Sequence, residues 1–185
     1  MLTLWTIQPV EVMDIINKEG VFRCTKTLSD NYQDVCFNNA YDWLTNEMLG
    51  MERLAHPDGV ELPLWAWHTY DGKCKKPDLR QSGYASKGTK CVCIEFCIEE
   101  NKVLLSDFDI WHCVLNDIWY NDAVDEDVYY ELDDWYDALP EEEQKETKYA
   151  SWRMMYDVHR SDYVQATFWE LRKEQIKKVQ YFTAR

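Results

Sequence analysis

The chain has 185 residues, 46% of them apolar, and a formal net charge of −14. That length and apolar share fit one domain with a sizeable core, and the charge speaks against affinity for nucleic-acid backbone or anionic membrane, both of which call for Lys and Arg. No basic run precedes a long apolar stretch at the start, no apolar stretch is long enough to span a bilayer, and none of the seven cysteines forms a Cys-x-x-Cys pair, so the sequence reads as a cytoplasmic protein with reduced thiols.

In chain order, residues 2–7 read as a short strand. Pro9 then suits the first turn of a helix, where its missing N–H does no harm. Val12, Ile15 and Ile16 give that helix an apolar stripe, Gly20 ends it, and residues 21–24 form a second short strand. Phe37, Ala40, Tyr41, Leu44 and Met48 fall at helical spacing over residues 32–49, with Gly50 as the cap. Residues 62–70 alternate as a strand, with Trp65 and Trp67 on one face and Ala66 and His68 on the other. Residues 71–88 hold Gly, Pro, Lys and Ser and read as a long loop, either functional or mobile.

The clearest strand is 91–99, where Val92, Ile94, Phe96 and Ile98 alternate with Cys91, Cys93, Glu95 and Cys97. Residues 102–105 extend the sheet. Ser106 caps the next helix with Asp109 as its capping-box partner, and Phe108, Trp111, Leu115 and Ile118 form that helix's buried stripe. Residues 122–146 are dominated by Asp and Glu, with Lys145 as the only base and Tyr129, Tyr130, Trp135 and Tyr136 interleaved. This stretch reads as a solvated acidic arm or helix pair, or as a surface that offers aromatic rings and negative charge to a basic partner. Pro140 followed by three glutamates marks a helix start. Ser151 caps a short helix carrying Trp152, Met155 and Tyr156, and residues 163–169 and 176–182 supply the last strands. The expected architecture is α+β: a single domain over residues 1–185, a mixed or antiparallel sheet flanked by helices, and an acidic helical insertion at about 122–146.

The motif inventory is thin. No glycine-rich phosphate loop, nucleophile elbow or metal-ligand spacing is present, so no metal is expected. Nine tryptophans build a heavy core or line a pocket that stacks flat ligands. His68 stands beside Trp67 next to the long loop. Arg80, in Pro77-Asp78-Leu79-Arg80, serves either as an anion clamp or as the partner of Asp78. Asp107 and Asp109, at a helix start, suit capping better than catalysis.

Leu4-Trp5-Thr6-Ile7-Gln8-Pro9, Ala40-Tyr41-Asp42-Trp43-Leu44, Pro63-Leu64-Trp65-Ala66-Trp67, Pro77-Asp78-Leu79-Arg80, the run Leu105-Ser106-Asp107-Phe108-Asp109-Ile110-Trp111-His112, and Gln165-Ala166-Thr167-Phe168-Trp169 together resemble a family of bacterial and phage proteins classed as a domain of unknown function. A second similarity is to ADP-ribosyltransferase-type folds. The opening strand, helix and Gly20 resemble their entry, and Gln165-Ala166-Thr167 resembles the strand that carries the catalytic glutamate in DNA-modifying ADP-ribosyltransferase toxins of the DarT type, with Thr167 where those toxins have Glu.

That resemblance implies a nucleotide-like ligand such as NAD or ADP-ribose, NAD being the implied cofactor. It puts Trp5, Thr6 and Gln8 toward the nucleotide and Trp65 or Trp67 against a ring; His68 and Arg80, singled out above from their surroundings, complete the expected ligand-binding set. Gln165 and Thr6 then hold the catalytic positions, a carboxylate elsewhere substitutes, or the fold persists without transferase chemistry. The rival expectation is a non-enzymatic acidic protein that binds a basic partner or imitates nucleic acid. A small barrel of the pseudouridine-synthase-associated type also fits the opening pattern, but not the charge.

Overall fold

The computed structural model describes residues 1–29, 32, 35 and 37–185. Its centre is a six-stranded, wholly antiparallel sheet in the order β5-β6-β3-β1-β4-β8. The strands are β1 (Leu2–Pro9), β3 (Leu64–Thr69), β4 (Lys90–Ile98), β5 (Leu104–Asp107), β6 (Val164–Phe168) and β8 (Ile176–Thr183). A separate two-stranded ribbon pairs β2 (Val21–Arg23) with β7 (Glu170–Arg172). Five helices are defined among the described residues: α1 (Glu11–Glu19), α2 (Asn38–Leu49), α3 (Phe108–Leu115), α4 (Glu126–Asp137) and α5 (Glu141–Trp152). None is long and apolar enough to cross a membrane.

Strand alternation divides the core into two layers. On one face of the sheet Leu4, Ala66, Val92, Ile94, Phe96, Ala166 and Phe168 pack with Val12, Met13 and Ile16 of α1 and with Phe22 and Leu171 of the ribbon. Gly20 ends α1 in the left-handed region at φ 79°, its N–H donating to the Ile16 carbonyl, a conformation that favours glycine. On the other face, the β5-β6-β3 half is covered by α2, α3 and Trp152, around Tyr41, Leu44, Leu104, Trp111, Met155 and Trp169. The β1-β4 half of that face lies under the long loop, where Leu79 packs on Trp5 and Cys93. Gly72, at φ 67°, anchors the loop. Its N–H donates to the Asp162 carbonyl, and a Cβ there would stand 2.9 Å from Asp162 Oδ1.

Several sequence readings need correction. Pro9 belongs to β1, and α1 begins two residues later. Helix α2 starts at Asn38, and the expected start at 32 falls among residues that are only partly described. Gly50 does cap α2 as expected, in right-handed backbone, its N–H donating to the Asn46 carbonyl. Ser106 is a strand residue of β5; Asp107 caps α3, its carboxylate accepting from the N–H groups of Asp109 and Ile110. Ile110 and Val114 take the buried positions expected of Phe108 and Ile118, the latter lying exposed beyond the helix. Ser151 lies inside α5, and the segment after it is a single 3-10 turn, Arg153–Tyr156. The acidic stretch is the helix pair α4 and α5.

Candidate functional site

Cross-strand register places one residue from each of the six strands in a row on the face opposite α1. Ser106 opposes Gln165, Gln165 opposes Trp67, Trp67 opposes Trp5, Trp5 opposes Glu95 and Glu95 opposes Lys178. Directly opposed residues share a face with Cβ atoms about 5 Å apart, so three residues singled out from the sequence, Trp5, Trp67 and Gln165, lie side by side. Trp5 is nearly buried and its indole N–H donates to Glu95 Oε2 at 3.0 Å.

Polar satisfaction fails next to this row. Ser106 is fully buried and its Oγ has no hydrogen-bond partner; neither has Gln165 Oε1, its register partner, nor the indole N–H of Trp65, diagonal to Gln165. Buried polar atoms are paired in the great majority of cases, so each orphan calls for an explanation. The three are a hydroxyl, an acceptor and a donor on the same face of three successive strands, β5, β6 and β3. Their walls are aromatic: Trp111 stands 4.7 Å from Trp65, and Phe108 stands 4.9 Å from Trp67, ring centre to ring centre.

Trp67 leads outward through Tyr70 at 5.1 Å, which meets Tyr163 edge-on at 5.3 Å. Both tyrosines line a groove of about 670 Å³ whose rim carries Lys75, Lys76, Arg80 and Gln180. Arg80 forks onto Asp78 at 2.9 and 2.7 Å, which holds the Asp78 carboxyl well below the usual carboxylate range. Lys75 pairs with Asp71 at 2.7 Å. Lys76 donates to Gln180 Oε1 and has no carboxylate partner among the described residues.

The remaining sequence candidates sit elsewhere. Thr6 and Gln8 point to the opposite face from Trp5, because neighbours on a strand alternate. Thr6 is buried, donates to the Trp65 carbonyl at 2.7 Å and accepts from Gln8 Nε2 at 2.8 Å. The expectation that Trp5, Thr6 and Gln8 face one ligand is therefore corrected, and Thr6 is spent on structure. His68 occupies the bulge of β3, bonded to Thr69 Oγ1 at 3.0 Å, and burial lowers its pKa. Trp65 differs from these: its ring packs in the second core layer against Tyr41 and Trp111, while its indole N–H belongs to the orphaned set. Thr167 is fully buried and its hydroxyl donates to the Leu104 carbonyl.

Sequence reading missed Phe108 and Tyr70 as ring neighbours of Trp67, Tyr163 as the neighbour of Tyr70, and Ser106 as the register partner of Gln165. The one available signal was that Ser106 continues the alternation of residues 104–107.

The arrangement supplies hydrogen bonds, aromatic walls and cations. Burial pushes the Cys93 thiol up to about 11, so it is no nucleophile at neutral pH. No cluster of three or more metal-ligating side chains occurs among the described residues.

A family model described as "Domain of unknown function (DUF3841)" matches residues 3–177. No curated protein and no solved structure matches the chain.

Proposed function

The chain belongs to the DUF3841 family, a domain of unknown function, and from that premise we propose that it binds a nucleotide-like small molecule beside Trp67. The observation that carries this reading is the orphaned Ser106 Oγ, Gln165 Oε1 and Trp65 Nε1 on the sheet face of Trp67, whose ring touches Tyr70 on the lining of a groove with Lys75, Lys76 and Arg80. A flat, hydrogen-bonding ring suits the first part, and a phosphate suits Lys75 and Lys76. On this reading an ADP-ribosyltransferase-like layout serves binding and not transfer, because the position that the resemblance assigns to the transferase glutamate is Thr167, sealed in the sheet.

Isothermal titration with NAD and ADP-ribose tests the proposal. Heat of binding is expected with at least one of them. Trp67→Ala is expected to weaken binding about 10-fold or more, the worth of one ring stacked on a base. Gln165→Leu weakens it as well, with the melting temperature of each variant as the control for folding. No heat with either ligand removes the proposal.

A second reading rests on α4, which buries none of its residues and leaves Tyr130 58% and Trp135 49% exposed on an acidic helix. On that reading, α4 and α5 are an arm for a basic partner.

A further inference from the structure

The net charge of −14 conceals a separation of charge. Residues 122–146 hold twelve acids and one lysine. Residues 73–90 and 172–185 hold eleven of the twenty bases and only two acids, Asp78 and Glu174. These two basic segments are one place in the fold: β4 pairs with β8 from Lys90 opposite Thr183, the Gly88 N–H donates to the Ala184 carbonyl, and Lys76 reaches Gln180. The basic region is thus the open edge of the sheet at β8 with the loop folded over it. Among the described residues, Lys73, Lys87, Lys173, Lys177 and Lys178 have no carboxylate partner.

The acidic pole sits at the other end. Strand β5 is the opposite edge; α3 follows it, and α5 packs on α3 and on the 3-10 turn that lies against β5. Six strands span five gaps of about 4.8 Å, so the two edges stand about 24 Å apart. That exceeds the Debye length of about 8 Å at physiological salt. The poles therefore do not neutralise one another within a molecule.

Each pole has an ordinary purpose. Lysines on an edge strand discourage strand-to-strand aggregation, and acids on a surface aid solubility. Neither purpose explains the exposed aromatic rings found at both poles: Tyr129, Tyr130 and Trp135 on α4, and Tyr181, 62% exposed, on β8. Aromatic residues among complementary charges are the composition of an interface.

We propose that the acidic helices α4 and α5 of one copy dock on the lysine-rich β8 edge of a second copy, head to tail. This names the partner of the acidic-arm reading as the chain itself. The contact is heterologous, because the two surfaces differ, so it extends into short chains of molecules or closes into a ring. Two helices of twelve residues are each only about 18 Å long, so the patch is small, and the association is weak and dependent on salt.

Sedimentation of the full chain at high concentration, in 20 mM and 500 mM salt, is the test. The expected result is a weight-average mass above the 22.2 kDa monomer at low salt that falls to the monomer at high salt. The Lys177→Glu/Lys178→Glu variant and the Glu141→Lys/Glu142→Lys/Glu143→Lys variant are each expected to stay monomeric at low salt, and their mixture to associate. A wild-type monomer under both conditions overturns the proposal, as does association that survives 500 mM salt. If the monomer instead binds a single-stranded oligonucleotide through the same lysines, the partner is nucleic acid and the proposal fails. A labelled lysine-rich peptide separates the two ideas: capture of the peptide by a chain that does not self-associate keeps the acidic-arm reading and discards the second copy as its partner.

Discussion

Two tryptophans two positions apart on β3 show how strongly one residue's surroundings decide its role. Trp65 and Trp67 point the same way, yet Trp65 is pressed between Tyr41 and Trp111 inside a core layer while Trp67 touches Phe108 and the Tyr70–Tyr163 pair that opens on the groove. Period-two alternation shows that they share a face; it does not show what covers each end of that face. The cysteines differ in the same way. Burial pushes Cys24 and Cys93 up to about 11, with Glu61 adding to the effect at Cys24, whereas Cys74 lies exposed on the loop. A raised thiol pKa means less thiolate, which is the reactive form. Alkylation of the native protein at pH 8, read by peptide mass, is expected to label Cys74 first and to leave Cys24 and Cys93 unmodified until the chain is denatured. Early labelling of Cys93 would show that the loop does not stay over Trp5.

At the scale of the element, the decisive boundary is the passage from β5 to α3. Ser106 and Asp107 are both good cap residues, and a sequence window cannot choose between them. The structure chooses Asp107, which moves Ser106 one place back into the strand and onto the same face as Gln165. This one-residue difference hid the polar set from the sequence, since a slip of one position reverses the face of every strand residue. Asp107→Ala is expected to cost about 1 kcal/mol, with a fall in melting temperature of about 2–4 °C. Ser106→Ala, which removes a buried hydroxyl without a partner, is expected to be close to neutral in the unliganded protein. A thermal melt of both variants checks this order, and the reverse order would place the cap at Ser106. Strands 91–99 and 163–169 were legible to within a residue or two because their alternation is uninterrupted. Pro9 misled because it stands at the end of β1, where the ladder tolerates a residue without N–H.

At the scale of the molecule, the α+β class and an acidic helical segment were legible in the sequence, because composition and periodicity report them, whereas neither decides between a mixed and an antiparallel sheet, or between an acidic arm and a helix pair. Strand order, the loop folded across Trp5 and the gathering of lysines at one edge were not legible, because each depends on segments far apart in the chain. The same organisation predicts a gradient of local stability. Strands β1 and β4 are paired on both sides and buried on the α1 face, whereas α4 contributes no buried residue. Hydrogen exchange is expected to be slowest in β1 and β4 and fastest in α4, with several orders of magnitude between them. Uniform protection across these elements would contradict that gradient.

The position of β1 has a consequence for how the chain reaches this state. Its two neighbours are drawn from residues 64–69 and 90–98, and the outer neighbour of β4 comes only after residue 175. While the polypeptide is being made, the innermost strand emerges early and waits, unpaired and apolar, for partners not yet synthesised. Such dependence on distant pairings makes acquisition of the fold slow, and it leaves the lone strand uncovered until those later segments arrive.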